Sequence, residues 1–174
     1  MKKCIVVSVI IVMLLCLVGS FFIIFPLKYT KHIKKYASEY DLPASMVASL
    51  INIESGYDKH AKSKAGAIGL MQIMPNTAKE IATKFNINYN DEMLYDEETN
   101  IKFGCYYLSY LLNYYDLNIT NTLASYNWGL NNVNNWINNG NVDKDGSIIN
   151  IPVSETKNYL KKYKFNNFFY DIFY

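Results

Sequence analysis

The first hydrophobic segment of the chain is long and uncharged. Residues 4–27 form a run of 24 positions without a charged side chain. A helix of that length extends over roughly 36 Å, which is enough to cross a bilayer core with some tilt. Lys2 and Lys3 precede the run, and a basic start favours an N-terminus that stays in the cytoplasm. The pattern predicts a single-pass transmembrane anchor over residues 1–28, with the remaining chain outside the cytoplasm.

Two other fates of this segment fit the sequence less well. A cleaved signal peptide has a core of roughly 7–15 apolar residues, and here apolar residues continue past Gly19-Ser20, the one small-residue cleavage candidate. Lipid attachment at Cys16 is disfavoured because Leu15, which precedes it, is not small. We therefore expect the segment to be kept as an anchor rather than removed.

The rest of the chain has helical periodicity and few strand signals. Asp41 and Pro43 are expected to begin one helix, because Asp caps a helix start and Pro fits the first turn. Gly56 is expected to end that helix soon after Glu54. Residues 56–70 are rich in Gly, Ser, Lys and Ala and predict a loop. Helices are predicted over residues 29–40, 44–53, 76–85, 96–115, 120–126 and 130–138, and from 154 onward.

Composition fits one folded domain attached to the apolar segment. Hydrophobic residues make up 51% of the 174 positions and charged residues 18%, which excludes intrinsic disorder. Beyond the apolar run 15 lysines balance 15 acids, and this neutrality argues against a nucleic-acid partner. The sequence therefore predicts an all-α domain over residues 29–174 after the anchor.

Cysteine and histidine usage supports neither a disulfide nor a metal site. Cys4 and Cys16 lie in the apolar run, so Cys105 is alone in the body and has no internal partner. His32 and His60 are far apart, without further ligands at zinc-binding spacing. No structural metal is expected.

Glu54 is the first candidate for chemistry. It lies near the C-terminal end of an otherwise apolar helix, just before a glycine-containing loop. Apolar surroundings and the negative end of a helix both disfavour a carboxylate. The side chain is thus expected to hold its proton near neutral pH, as a general acid for glycosidic bond cleavage must. Taken alone, the same position also fits a partly exposed Glu in a last helical turn.

An unusual segment downstream makes the chemical interpretation stronger. Residues 66–75 have the sequence Gly-Ala-Ile-Gly-Leu-Met-Gln-Ile-Met-Pro. The two glycines allow the backbone to bend, Gln72 offers an amide donor and acceptor, and the methionines give adaptable apolar surface. Next to a protonated Glu54, these residues would suit the lining of a sugar-binding cleft.

With these pieces in order, the chain resembles the lytic transglycosylases of the soluble-lytic-transglycosylase (SLT) type. The resemblance covers roughly residues 31–163 and implies a mainly helical, goose-lysozyme-like fold. Five segments carry it: Glu54-Ser55 with Gly56-Tyr57; Ser63 with 66–67 and 69–75; Asn100-Ile101 with Gly104 and Tyr107-Leu108; Ala124-Ser125-Tyr126-Asn127-Trp128-Gly129; and Ile151-Pro152 with Glu155-Thr156 and Tyr159.

The chain departs from the family pattern at two places. Asp58-Lys59 stands where the family often has Asn-Pro, and Trp128 replaces a small residue. An indole at position 128 would either face the cleft, where it could stack on a sugar, or pack behind the motif. Both departures bear on substrate preference rather than on the acid.

The resemblance implies a substrate, a reaction and a set of site residues. The substrate would be the peptidoglycan glycan strand, cut between N-acetylmuramic acid and N-acetylglucosamine with formation of a 1,6-anhydro end. Glu54 would act as acid and then base, helped by the substrate's acetamido group, and no metal or organic cofactor is implied. Substrate-binding roles are implied for Ser63, Met71 (through its backbone), Gln72, Tyr126, Asn127 and Glu155.

Three alternatives remain open at the level of sequence. A hydrolytic lysozyme of the same fold would need a second carboxylate to activate water, and Asp58 or Glu155 are the candidates. A non-catalytic glycan-binding protein would not need a proton-holding Glu54. A channel component fits worst, because one span does not make a pore. A recruiting partner from the cell-wall or secretion machinery is compatible with all but is not identified by any residue.

Overall fold

The computed structural model describes residues 2–174, without the side chains of residues 2–6, 8 and 9. Over this range the chain folds into eight α-helices and a short 3-10 turn, Asp91–Tyr95. The helices are α1 (Lys2–Ile24), α2 (Thr30–Glu39), α3 (Ala44–Ser55), α4 (Pro75–Lys84), α5 (Glu97–Tyr114), α6 (Ile119–Trp128), α7 (Leu130–Asn138) and α8 (Ser154–Tyr170). The predicted all-α class is confirmed for the described residues.

Local capping chemistry explains several helix ends. The Asp96 carboxylate accepts a hydrogen bond of 2.8 Å from the Thr99 N–H at the start of α5. Gly56 ends α3 with a φ of 59°, in the left-handed region that glycine tolerates. The expected cap by Asp41 is wrong: Pro43 directly precedes α3, and Asp41 has a φ of 53° in the turn before it.

The core lies between the helix that carries Glu54 and the helices packed around it. α3 packs mainly against α8 and also contacts α2, while α5 contacts α2, α4 and α6. Leu50 and Ile51 of α3 and Ile101 and Leu108 of α5 are fully buried. Their burial fixes α3 on both sides, so that the end of this helix occupies a defined place in the fold.

The loop between α3 and α4 is ordered by its own backbone. Ile68 forms isolated antiparallel bridges with both Lys62 and Ile73. Leu70 and Met71 in the same loop are fully buried. The glycine-rich segment is therefore a compact, packed layer beside the end of α3 rather than an open surface loop.

The end of α1 packs onto the body. Phe25 is buried, and its ring lies 4.5 Å from that of Phe169 and 6.0 Å from that of Phe165, measured between centroids. The Asn52 side-chain amide donates to the Ile24 carbonyl oxygen at 3.0 Å. These contacts join the N-terminal segment to α8 and to the helix that carries Glu54.

The predicted transmembrane anchor, residues 1–28, falls partly outside the described residues, which omit Met1 and the side chains of Lys2, Lys3 and Cys4. Within the part of the chain that is described, no helix combines the length and the apolar character needed to cross a membrane.

Candidate active site

Glu54 lies at the end of α3, one residue before the last helical residue, Ser55. Its side chain is half-buried, and burial raises the pKa of the Glu54 carboxyl to about 7. The nearby Glu155 carboxylate also raises this pKa, whereas a hydrogen bond from Tyr159 lowers it. The net shift agrees in direction with the sequence argument, and burial is its largest cause.

Tyr159 is the direct partner of the acid. Its hydroxyl donates to Glu54 Oε1 at 2.6 Å. The ring is buried in α8, and burial together with the neighbouring Glu54 raises the pKa of the Tyr159 hydroxyl well above its usual range. Tyr159 therefore stays a donor at neutral pH and fixes one carboxyl oxygen, which leaves the other oxygen of Glu54 for a substrate.

A hydroxyl clamp joins the end of α3 to the glycine-containing loop. Ser55 Oγ lies 2.9 Å from the Leu70 carbonyl oxygen and 3.1 Å from that of Ile51. The hydroxyl has one hydrogen to donate, and the shorter contact, to Leu70, joins the loop to α3 directly after Glu54.

Asn100 holds the same loop from the opposite side. Only 1% of its surface is exposed. Its Oδ1 accepts from the Met71 N–H at 2.8 Å, and its Nδ2 donates to the carbonyl oxygens of Ile68 and Leu94 at 2.9 and 2.8 Å. Gly69 is required beside it, because a Cβ there would collide with the Asn100 side chain.

Gln72 is fixed with its side chain toward the cleft. Its φ is 49°, an uncommon value for a residue other than glycine. Both hydrogens of its Nε2 have partners, the carbonyl oxygens of Ala61 at 3.2 Å and of Gly69 at 2.9 Å. The group that Gln72 retains for a ligand is consequently its side-chain oxygen, an acceptor.

Ser63 and Asn127 offer donors instead. Ser63 Oγ accepts from the Ala67 N–H at 3.0 Å, so its hydroxyl hydrogen is available. Asn127 Oδ1 accepts from the Thr156 hydroxyl at 2.8 Å, which leaves the Asn127 NH2 group for a ligand. Together with Gln72, these residues present donors and an acceptor, the combination that sugar amides and hydroxyls can satisfy.

Tyr126 and Met71 are coupled to each other. The Tyr126 hydroxyl donates to the Met71 carbonyl oxygen at 2.9 Å, and the Met71 side chain is fully buried against Gly104. Met71 thus acts on the site through its backbone. The hydroxyl of Tyr126 is engaged by this backbone rather than by Glu54, whose partner is Tyr159.

Two adjoining cavities, of about 580 and 500 Å³, meet at the acid. Five residues line both of them: Glu54, Ser63, Gln72, Asn127 and Glu155. Tyr126 lines the second. Six of the seven residues predicted as a site therefore line one cleft. The seventh, Met71, is buried next to it, and its carbonyl oxygen accepts a hydrogen bond from Tyr126.

The cleft continues past Trp128. A cavity of about 280 Å³ shares Gln72 and Asn127 with the cleft and is also lined by Trp128 and Tyr107. The Trp128 ring packs on Trp136 with 4.1 Å between centroids. The indole is half-buried and lines the groove, as the first alternative expects, and it is not part of the buried core.

Of the two candidates for a second carboxylate, Glu155 lines the cleft with Glu54. Asp58 instead accepts a hydrogen bond of 2.9 Å from the His60 N–H within its own turn.

Sequence reasoning missed two residues that define this site. Tyr159 and Asn100 both belong to segments that carry the family resemblance, but the sequence predicts no site role for either. A signal existed for Tyr159, because it follows Glu155 by four positions and so shares its helix face. Asn100 has no such signal, since its two partners in the glycine-containing loop, Ile68 and Met71, are 32 and 29 positions away in sequence.

Comparison with known proteins agrees with this geometry. The family model described as "Transglycosylase SLT domain" matches residues 31–149. The chain is 38% identical over 154 residues to the soluble lytic murein transglycosylase of Escherichia coli strain K12, covering 86% of this chain and 23% of that protein. It is 32% identical over 116 residues to the membrane-bound lytic murein transglycosylase C of Photorhabdus laumondii, covering 61% of this chain and 32% of that protein.

Solved structures give the same picture. The 70-kDa soluble lytic transglycosylase, in its complex with bulgecin A, matches with a TM-score of 0.76 and 36% identity, over 86% of this chain and 25% of that chain. Lytic transglycosylase Slt of Pseudomonas aeruginosa matches with a TM-score of 0.74 and 28% identity, over 84% of this chain and 24% of that chain. The chain spans about a quarter of the length of the soluble relatives it matches.

Proposed function

Because the chain belongs to the transglycosylase SLT domain family, we propose that it is a lytic transglycosylase that cleaves the glycan strands of peptidoglycan. The observation that carries the proposal is Glu54, a half-buried acid with a pKa of about 7 in a cleft lined by amide and hydroxyl groups. The names of the relatives, which are lytic murein transglycosylases, support the choice of substrate.

The proposed first step is proton transfer and bond cleavage. Glu54 gives its proton to the oxygen that links C1 of N-acetylmuramic acid to N-acetylglucosamine, and the C1–O bond breaks with its electron pair on that oxygen. The carbonyl oxygen of the muramic acetamido group stabilises C1 as the leaving group departs. Tyr159, by holding one carboxyl oxygen at 2.6 Å, orients the other toward the substrate.

The proposed second step closes a ring within the sugar. The C6 hydroxyl oxygen attacks C1, displaces the acetamido oxygen and gives its proton to the Glu54 carboxylate. The product carries a 1,6-anhydro ring, no water is consumed, and Glu54 regains its starting state. One carboxyl with a pKa near neutrality suffices for both steps.

Substrate binding is assigned to the remaining cleft residues. Gln72 offers an acceptor, and Ser63 and Asn127 offer donors, on both sides of Glu54. Glu155 lies at the exposed edge of the cleft and would bind hydroxyl or amide groups there. Tyr126 and Met71 would hold the cleft wall in place through their mutual hydrogen bond.

The test is mass spectrometry of the products released from purified peptidoglycan by the full chain in mild detergent. We expect muropeptides with 1,6-anhydro ends, one water lighter than the products of hydrolysis. Reducing ends would contradict the proposal and indicate a lysozyme that uses Glu155 as its second carboxylate.

The matched variants are Glu54→Gln and Asp58→Asn. Glu54→Gln removes the transferable proton and keeps the shape of the side chain, so turnover should fall about 10³-fold. The variant should still bind peptidoglycan and sediment with it. Asp58→Asn removes an exposed carboxylate outside the cleft and should leave turnover unchanged. Full activity of Glu54→Gln would refute the assignment of the acid.

We also propose that the protein is attached to the cell membrane through its N-terminal segment, with the catalytic body on the outer side. The support is the uncharged run of residues 4–27 and the apolar side chains on the surface of α1, such as Leu15 and Leu17, which are 66% and 68% exposed. Exposed apolar side chains of this kind favour an apolar environment.

The test of attachment is cell fractionation. We expect the wild-type protein in the membrane fraction, and Leu15→Lys should shift it to the soluble fraction. The same distribution of both forms would contradict attachment.

A further inference from the structure

An apolar stripe at the C-terminal end of the chain is largely exposed in the part of the molecule that the structure describes. Phe165 and Phe168 of α8 and Ile172 in the turn after it are 59%, 68% and 67% exposed. The spacing of three residues places Phe165 and Phe168 on one face of α8, and Ile172 follows in the turn directly after the helix. We call these three residues the C-terminal stripe.

The stripe is continuous with the apolar surface of α1. Phe25 packs against both Phe165 and Phe169, and Phe22 packs against Phe173 with 6.0 Å between ring centroids. Ile23, next to Phe22, is 80% exposed. The stripe and the end of α1 therefore form one apolar surface, although they come from opposite ends of the chain.

Lysines are frequent in the two sequence segments that adjoin this surface. Residues 28–35, which follow the apolar run, contain four lysines and no acid, and residues 157–164, which precede the stripe, contain four lysines and no acid. Lys34 Nζ of the first segment lies 5.4 Å above the ring of Tyr174, the last residue of the chain. Of these lysines, Lys35 is paired with Glu98 at 2.7 Å. In a body whose charges balance overall, these two segments carry eight of the lysines, of which Lys161 and Lys162 also line the cleft beside Glu54.

We propose that the C-terminal stripe lies against the surface of the lipid bilayer, with the neighbouring lysines on anionic lipid headgroups. Exposed aromatic and aliphatic side chains fringed by lysines suit the boundary between headgroups and acyl chains. A second copy of the chain is a poorer occupant, because two lysine-rich fringes would repel each other. Continuity with the N-terminal segment points to the same partner for both.

The consequence is a fixed position of the acid above the membrane. Asn52 Nδ2 donates both to the Ile24 carbonyl oxygen at 3.0 Å and to Asn166 Oδ1 at 2.6 Å. Asn52 precedes Glu54 by two residues on α3, so the end of α1, the stripe and the acid belong to one packed unit. Cleavage would then be confined to glycan at a set distance from the bilayer. A catalytic body on a flexible linker would instead reach glycan over a range of distances.

The experiment uses tryptophan at the stripe as a depth probe. Full-chain Phe168→Trp is reconstituted in vesicles of equal phosphatidylglycerol and phosphatidylcholine, with or without bromine on the acyl chains. The control is Leu117→Trp, which is equally exposed at 67% but lies between α5 and α6. Wild-type protein supplies the background emission of Trp128 and Trp136.

We expect brominated lipid to lower the emission of the Phe168→Trp probe about twofold, because the probe sits in the headgroup–acyl boundary, and to leave the Leu117→Trp probe unchanged. If brominated lipid lowered the emission of the two probes by the same fraction, the inference would be overturned. Protection of the Phe168→Trp probe from both brominated lipid and aqueous acrylamide would also overturn it, by showing that protein covers the stripe.

The inference rests on the membrane-attachment part of the proposed function, and the same samples separate the two. Protein that fails to float with vesicles refutes attachment itself. Protein that floats while the probe at position 168 stays in water refutes only the contact of the stripe. Neither result depends on catalytic activity, which the muropeptide assay tests on its own.

Discussion

At the scale of single residues, the protonation of Glu54 is expected to affect both the proposed activity and the stability of the fold. Burial is the dominant cause of its raised pKa, about 7, and the hydrogen bond from Tyr159 acts in the opposite direction. The acid is protonated below this value and ionised above it. A reaction that starts with proton donation therefore needs the low-pH form.

The first prediction concerns pH. We expect kcat/KM of the full chain to fall about tenfold per pH unit above about 7.

The free energy of unfolding should depend on the protonation of the same group, because folding raises the pKa of Glu54. The contribution of Glu54 to stability is fully present below its unfolded pKa and is lost as the pH rises through about 7. Glu54→Gln should thus be more stable than wild type at pH 8, by at most about 3 kcal/mol, and similar at pH 4. Thermal unfolding at the two pH values measures this, and a difference independent of pH would contradict it.

The second prediction isolates Tyr159. Tyr159→Phe removes the donor that stabilises the ionised acid, so the pKa of Glu54 should rise and the high-pH limb of kcat/KM should move up by about one pH unit. The control is Tyr163→Phe, four residues further along α8 and also buried. A general loss of folding would lower activity at every pH, whereas a shifted limb is specific to the acid.

At the scale of secondary-structure elements, the glycine-containing loop is held between α3 and α5. Ser55 holds it from α3 and Asn100 from α5, and the two contacts define where Leu70, Met71 and Gln72 lie. The helix ends around the site were foreseeable from local signals such as Gly56. The clamps were not, because each bonds to backbone groups far away in sequence.

The third prediction tests the α5 clamp. Asn100→Ala leaves one buried N–H and two buried carbonyl groups without their partner, and we expect a loss of about 3 kcal/mol in the free energy of unfolding. Asn113→Ala, at an exposed position on the same helix, should change it by less than about 0.5 kcal/mol. Urea denaturation of both variants provides the comparison; equal values would show that the clamp contributes nothing.

At the scale of the whole molecule, the two ends of the chain join to form one aromatic cluster. Phe25 near the N-terminal helix is buried among residues of α8, and Tyr170 Oη donates to the Pro26 carbonyl oxygen at 3.1 Å. The sequence predicted a boundary near residue 28 between the anchor and the body. Phe25, three residues before that boundary, is part of the buried core of the body.

The fourth prediction follows from this packing. Phe25→Ala should lower the free energy of unfolding of the full chain by about 3–5 kcal/mol, because it empties a buried ring site. Phe22→Ala, where the ring is 44% exposed, should have a clearly smaller effect. Chemical denaturation in detergent measures both. Similar small losses would mean that the end of α1 is independent of the body.

The sequence by itself determined the helical class and most helix ends, and it predicts an acid and a set of polar residues that the structure places along one cleft. These properties depend on periodicity, on capping residues and on short motifs, all of which act within a few positions of the chain. Only the tertiary structure decided that Tyr159 bonds to Glu54, that Asn100 holds the loop, and that the C-terminal stripe meets α1. Those contacts join residues at least 29 positions apart. Packing of the whole chain sets which distant groups meet, so no local pattern encodes them.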